Sequence, residues 1–164
     1  MLNPSPYRYI KAGPEHTKVL VQLRLDFLEE YWGKQSEEQR RLLRTALEVY
    51  FEKALQNGSY VSFLAYQDEQ LAGVGGMVYR EQPGGFKNPS GKMAYLMNMF
   101  TRPEFRKQGI ATRIVDLLSE EALAAGYRHL ELHATSDGEP VYIKAGFQLH
   151  PEPTYRKLLN QSTP

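Results

Sequence analysis

The patterning of apolar residues predicts an α/β domain built on a mixed sheet. Three observations carry this. Two long segments near the N-terminus repeat apolar residues at spacings of three and four, the period of a helix. After residue 58 the period changes, and two runs rich in β-branched and aromatic residues follow, separated by a tight turn. Residues 93–101 then form a nearly unbroken apolar run, as expected of a strand covered on both faces.

Residues 7–12 alternate weakly and read as a first strand. Gly13-Pro14 breaks it, and Pro14 suits the first turn of a helix, where its missing N–H removes no bond. Between residues 15 and 31, Leu20, Leu23, Phe27 and Tyr31 make one apolar stripe, and Gly33 ends that helix. Ser36 and Gln39 stand at capping-box spacing, with the hydroxyl accepting from the Gln39 amide and the Gln39 side chain reaching back. The helix they open carries Leu43, Leu47, Tyr50 or Phe51, and Ala54 on one face, and stops at Asn57-Gly58. Residues 60–66 and 71–79 read as strands joined by a turn at Asp68-Glu69-Gln70. Residues 82–91 hold two prolines and three glycines, which predicts an exposed loop. Beyond the strand at 93–101 and a short basic loop, Ile110, Ile114, Leu117, Leu118 and Ala122 define an amphipathic helix closed by Gly126. Residues 129–134 read as a further strand and 140–145 as a short helix with Gly146 as its C-cap. Residues 147–150 and 155–159 would be a terminal pair of strands. The strand–helix–strand unit over 93–134 should be parallel and right-handed.

The 164 residues suit a single domain over 1–164, with no internal repeat and no linker-like stretch. Apolar residues at 41% and charged residues at 24% exclude a wholly disordered chain and a collagen-like fibre. No apolar stretch approaches the roughly 20 residues of a membrane helix, so no membrane partner is expected. A net charge of +1 gives no bulk basicity, so no nucleic-acid partner is expected either. Cysteine is absent, which removes thiolate nucleophiles, disulfides and Cys-ligated metals. The start, MLNPSPYRYIK, lacks the apolar core of a secretion signal, and the expected location is the cytoplasm. The sequons at Asn57-Gly58-Ser59 and Asn160-Gln161-Ser162 are then chance matches. The four histidines, His16, His129, His133 and His150, show no metal-ligand spacing, and no metal is expected.

The chemistry concentrates between residues 95 and 147. A buried strand feeds a helix through Arg102-Pro103-Glu104-Phe105-Arg106-Lys107-Gln108-Gly109-Ile110-Ala111. Such a junction points several free amides and the positive end of the helix dipole at one spot, which favours a phosphate or pyrophosphate. Arg106, Lys107 and Arg113 add positive charge, and Gly109 and Ala111 let a ligand approach the backbone. Taken alone, Gly109 is equally at home as an ordinary helix-start residue. The loop is neither a P-loop, lacking Gly-Lys-Ser/Thr, nor a dinucleotide fingerprint, holding one of its three glycines.

The whole arrangement is more specific. A buried strand, Pro103, Phe105, Arg106-x-x-Gly109-x-Ala111, a helix, a strand and then Tyr142-Ile143-Lys144-Ala145-Gly146-Phe147 resembles the GCN5-related N-acetyltransferase (GNAT) family. The resemblance covers essentially the whole chain and is specific from about residue 95 to residue 147. It implies a mixed, mostly antiparallel sheet with splayed central parallel strands and flanking helices, and acetyl-CoA as co-substrate. The amides of Gln108, Gly109, Ile110, Ala111 and Thr112 would cradle the pyrophosphate, and backbone groups of Met99, Phe100 and Thr101 would pair with the pantetheine arm. Tyr142 falls where the family tyrosine faces the thioester sulfur. Family members often carry an asparagine shortly after the second splayed strand, where this chain reads Ala134-Thr135-Ser136-Asp137.

The implied activity is transfer of an acetyl group to a primary amine, on a small molecule or a peptide, by direct attack in a ternary complex. A non-catalytic acyl-CoA-binding or sensing module is the alternative. Tyr142 would protonate the leaving thiolate, since a phenol with pKa near 10 is a plausible donor to a thiolate whose acid is near 8.5. Glu30, at the end of the first helix, and His133, beside the splay, are the candidate bases; Asn98 lies on the facing strand. Asp26, Glu29 and Glu30 together lead us to expect a cationic acceptor. The terminal edge strands could pair between two copies, giving a homodimer.

Overall fold

The computed structural model describes residues 5–159; the second sequon, Asn160-Gln161-Ser162, lies outside them. Strand β1 (Tyr7–Lys11) leads through a 3-10 turn at Pro14–His16 into helix α1 (Thr17–Trp32) and then α2 (Glu37–Asn57). Strands β2 (Tyr60–Gln67), β3 (Gln70–Glu81) and β4 (Lys92–Thr101) follow, then α3 (Ile110–Ala124), β5 (Leu130–Glu131) and α4 (Glu139–Lys144). The five strands lie in the order β1-β2-β3-β4-β5. The first three pairings are antiparallel, and β4 with β5 is parallel, as the strand–helix–strand unit predicts.

Local chemistry sets the helix ends. The Ser36 hydroxyl accepts from the Gln39 amide at 3.2 Å, and the Ser36 amide donates to the Gln39 side chain at 3.2 Å, closing the expected capping box. Helix α1 stops where Gly33 turns to φ 82° and donates to the Glu29 carbonyl. On α2 the buried aromatic is Phe51, while Tyr50 and Leu43 stay exposed.

The sheet carries a core on each face. Leu20, Leu23, Leu25 and Phe51 pack with Tyr60, Leu64, Val74 and Phe100 beneath α1 and α2. On the other face Ile110, Ile114 and Leu118 of α3 pack with Phe63, Met77 and Leu96. Alternation along β4 should send Leu96 and Phe100 to the same face. It does not, because a bulge intervenes: Val74 pairs with Phe100 but Gly76 pairs with Met97, leaving β4 one residue longer. Asn98, at φ 56°, sits in this bulge.

Two glycines on β3 make room for the bulge. The Tyr60 ring crosses the sheet over Gly76, so that a Cβ there would collide with the Tyr60 hydroxyl; a Cβ on Gly75 would meet Met99 on the opposite face. That hydroxyl accepts from Asn98 Nδ2 at 2.9 Å. Gly76→Ala should therefore destabilise the fold by about 2 kcal/mol, the range of an overpacked core. Thermal unfolding should show Tm lowered by roughly 4–8 °C. An unchanged Tm would mean that Tyr60 has a second way across the sheet.

The C-terminal expectation needs correction. Residues 147–150 and 155–159 form no strands, and Leu149 and Tyr155 stand 93% and 87% exposed. The strand expected over 129–134 is only Leu130–Glu131, which offers little ladder to extend, and Pro151 and Pro153 remove two backbone donors. The parallel pair consequently stands at the sheet edge rather than at its centre.

Candidate functional site

Beyond β4 the chain makes a 3-10 turn at Pro103–Phe105, and buried Phe105 anchors it edge-on against Tyr7, ring centres 6.4 Å apart. Lys107 at φ 61° and Gly109 at φ 82° then reverse the backbone on either side of Gln108. The Gln108 side chain is drawn inward, accepting from the Tyr7 hydroxyl at 2.5 Å. Among the described residues, no backbone carbonyl accepts from the amides of Lys107 to Thr112. The last four, those of Gly109 to Thr112, are the orphan donors of the α3 start. A Cβ placed on Gly109 would meet nothing within 4 Å, so the space beside this glycine is open.

The basic residues expected here divide. Arg106 is held by the fold: Nε donates to the Thr101 carbonyl at 3.0 Å and Nη2 to Glu30 Oε1 at 2.5 Å. Arg113 pairs with Glu120 at 3.3 Å. Lys107 has no carboxylate within salt-bridge distance among the described residues.

This loop continues an open sheet edge. Strands β4 and β5 pair only at Ala94–Leu130 and Tyr95–Glu131. Past that point β4 runs on to Thr101, still paired with β3 on its inner side and, among the described residues, with nothing on its outer side. Met99, Phe100 and Thr101 end this strand; Phe100 pairs inward with Val74, and the Thr101 carbonyl accepts from Arg106 Nε. His133 sits just beyond the last pair, its Nδ1 2.5 Å from the Tyr95 hydroxyl and its Nε2 3.3 Å from Thr154 Oγ1.

Tyr142 projects from α4, whose first turn is fastened by the Glu139 amide to the Thr135 carbonyl at 3.0 Å. Its half-buried ring meets Phe147 edge-on at 5.9 Å and packs against the α3-side core. Its hydroxyl has no hydrogen-bond partner among the described residues, and burial pushes the phenol up to about 12.

The α1 face of the bulge is a separate feature that the motifs did not reveal. Leu20, Leu23, Arg24, Phe27, Val74 and Asn98 enclose a cavity of about 10 Å³. Asn98 Oδ1 is buried and unpartnered, while burial pushes the neighbouring Tyr60 phenol up to about 12. The readable signal was Arg24, a lone cation in the apolar stripe of Leu20, Phe27 and Tyr31. No three metal-binding side chains gather among the described residues, and no described helix is long and apolar enough to cross a membrane.

The family model for an acetyltransferase (GNAT) domain matches residues 32–160. In structure, the chain is similar to a predicted acetyltransferase from Clostridium acetobutylicum crystallised with acetyl-CoA. The identity is 29%, the TM-score 0.84, and the match covers 96% of this chain and 99% of that one. A GCN5-related N-acetyltransferase from Ralstonia eutropha shares the fold at 18% identity and TM-score 0.81, covering 92% of this chain and 98% of that one. Glucosamine-6-phosphate N-acetyltransferase from Arabidopsis thaliana does so at 15% identity and TM-score 0.69, covering 92% and 97%. No curated protein matches the chain in sequence.

Proposed function

The chain belongs to the GNAT acetyltransferase family, and from that premise we propose that it is an acetyl-CoA-dependent N-acetyltransferase acting on a primary amine in a ternary complex. One observation carries the reading: the free outer edge of β4 leads directly to a loop of unpartnered amides beside Gly109. An extended polar arm fits the first, and a pyrophosphate fits the second.

Along Met99, Phe100 and Thr101, the backbone groups that β3 and Arg106 leave free bind the pantetheine arm as an added strand. The amides of Gln108 to Thr112 hold the pyrophosphate, with Lys107 contributing charge. Arg106 works differently: tied to Glu30 and to the Thr101 carbonyl, it braces the end of β4 against α1. The neutral amine attacks the thioester carbonyl, whose developing oxyanion is met by the Met99 or Phe100 amide. Collapse breaks the carbon–sulfur bond, and Tyr142 protonates the departing thiolate. Juxtaposing two bound substrates can supply up to roughly 7–11 kcal/mol of the acceleration.

Of the two candidate bases, His133 suits the role better. Its imidazole stands beside the splay, and the Tyr95 hydroxyl on its Nδ1 extends its reach to β4. Glu30 is committed to Arg106, which engages its carboxylate away from an incoming amine. Free CoA release from acetyl-CoA across a panel of amines tests the proposal. Amine-dependent release is expected; tight acetyl-CoA binding with no release for any amine would instead make the protein a binding module.

A further inference from the structure

The acids at the end of α1, which led to the expectation of a cationic acceptor, are already neutralised. Asp26 lies 3.9 Å from Arg102, Glu29 lies 2.8 Å from Arg40, and Glu30 lies 2.5 Å from Arg106. The group without a counter-charge is Arg24. Among the described residues no carboxylate lies within salt-bridge distance of it. It stands in the apolar stripe of α1, its guanidinium 5.6 Å from the Phe27 ring centre, and lines the cavity that also contains Asn98. A half-buried cation without an anion is costly, so a site of this kind favours an anionic ligand.

We infer that the acetyl acceptor is an amine that also carries a carboxylate, that is, an amino acid, and that Arg24 binds the carboxylate. This rests on the acetyltransferase reading above. Guanidinium binds a carboxylate in a two-pronged, charge-assisted geometry. Asn98 Oδ1, buried with no donor, lacks what an amine N–H supplies. The cavity, at about 10 Å³, is about the size of one water, so only the tip of a ligand enters between Arg24 and Asn98 and the rest stays outside it. The remainder of the acceptor faces an aromatic shelf: Phe27 stacks with Tyr31 at 6.3 Å, and Tyr31 meets Trp32 edge-on at 4.8 Å. Tyr31 and Trp32 are 55% and 71% exposed, so this shelf is open to an apolar side chain.

Phenylalanine and phenylalaninamide, which differ at the carboxylate, are the probes. The wild-type kcat/KM should favour phenylalanine by about tenfold, carried mainly by KM. Arg24→Met should remove that preference, leaving phenylalaninamide turnover and acetyl-CoA affinity within about twofold, and Arg24→Lys should restore part of it. Equal turnover of the two probes by the wild type, or an equal loss of both in Arg24→Met, would overturn the inference while the acetyltransferase reading stood. If neither probe reacts, calorimetric titration of N-acetylphenylalanine into the CoA-bound protein decides. Binding weakened by about tenfold in Arg24→Met supports the carboxylate site, and absent or unchanged binding overturns it. Should Arg24→Met not fold, the same comparison of probes on wild type and on Arg24→Lys decides in its place.

Discussion

Tyr142→Phe should lower kcat by roughly 10–1,000-fold while acetyl-CoA affinity stays within about threefold of wild type. The substitution keeps the ring that packs edge-on against Phe147 and removes a hydroxyl that bonds to nothing among the described residues. Stability should therefore change by no more than about 0.5 kcal/mol. On the proposed mechanism the substitution removes the proton donor for the leaving sulfur, typically worth about 10²–10⁴-fold; water entering an open site sets the lower end of the expected range.

The pH dependence follows from burial, which raises the phenol to about 12. A raised pKa means that the protonated form is favoured in the folded state. Tyr142 thus holds its proton across the neutral range, and its contribution to stability is complete below the ordinary tyrosine value near 10 and lost as pH rises through about 12. Loss of this donor should cause no fall in kcat below about pH 11. The same dry surroundings penalise a thiolate, so the difference between the two acids, and not the Tyr142 value alone, sets the driving force. A variant that keeps full kcat would make Tyr142 a packing residue, and a variant that unfolds would make its hydroxyl structural.

Gly109→Asp should weaken acetyl-CoA binding by about 10–100-fold, or roughly 1.4–2.7 kcal/mol, with the fold intact. The residue stands at φ 82°, where an L side chain is strained by about 1–2 kcal/mol, although aspartate tolerates that region better than most. Its Cβ would touch no protein atom within 4 Å and would project into open space at the α3 start. A carboxylate there opposes the pyrophosphate sterically and electrostatically. Calorimetry on the folded variant checks this, and unchanged affinity would move the phosphate site elsewhere. Gly109→Ala separates the two effects, since it adds the bulk without the charge.

Short-range features were legible in the residues alone. The Ser36–Gln39 capping box, the stops at Gly33 and Gly58 and the stripe of α3 depend on neighbours within one or two turns. The buried run over 93–101 pointed to a strand, and Gly109 to a helix start, in the same way. Other features required long-range placement. The Arg106–Glu30 pair joins residues 76 apart, and no local rule states which acid a given arginine will meet. Hence the acidic end of α1 read as a negative patch when it is an ion-paired one. The bulge at Asn98 was hidden because the apolar run continues past it in the sequence, although Phe100 has changed faces. The terminal strands failed for a related reason. Their β-forming residues were visible, but a strand needs a partner ladder, and Leu130–Glu131 is too short to provide one. Periodicity and caps are properties of a segment, so composition and spacing determine them. Charge pairing, bulges and edge strands are properties of two segments meeting, and these were decided when the sheet formed.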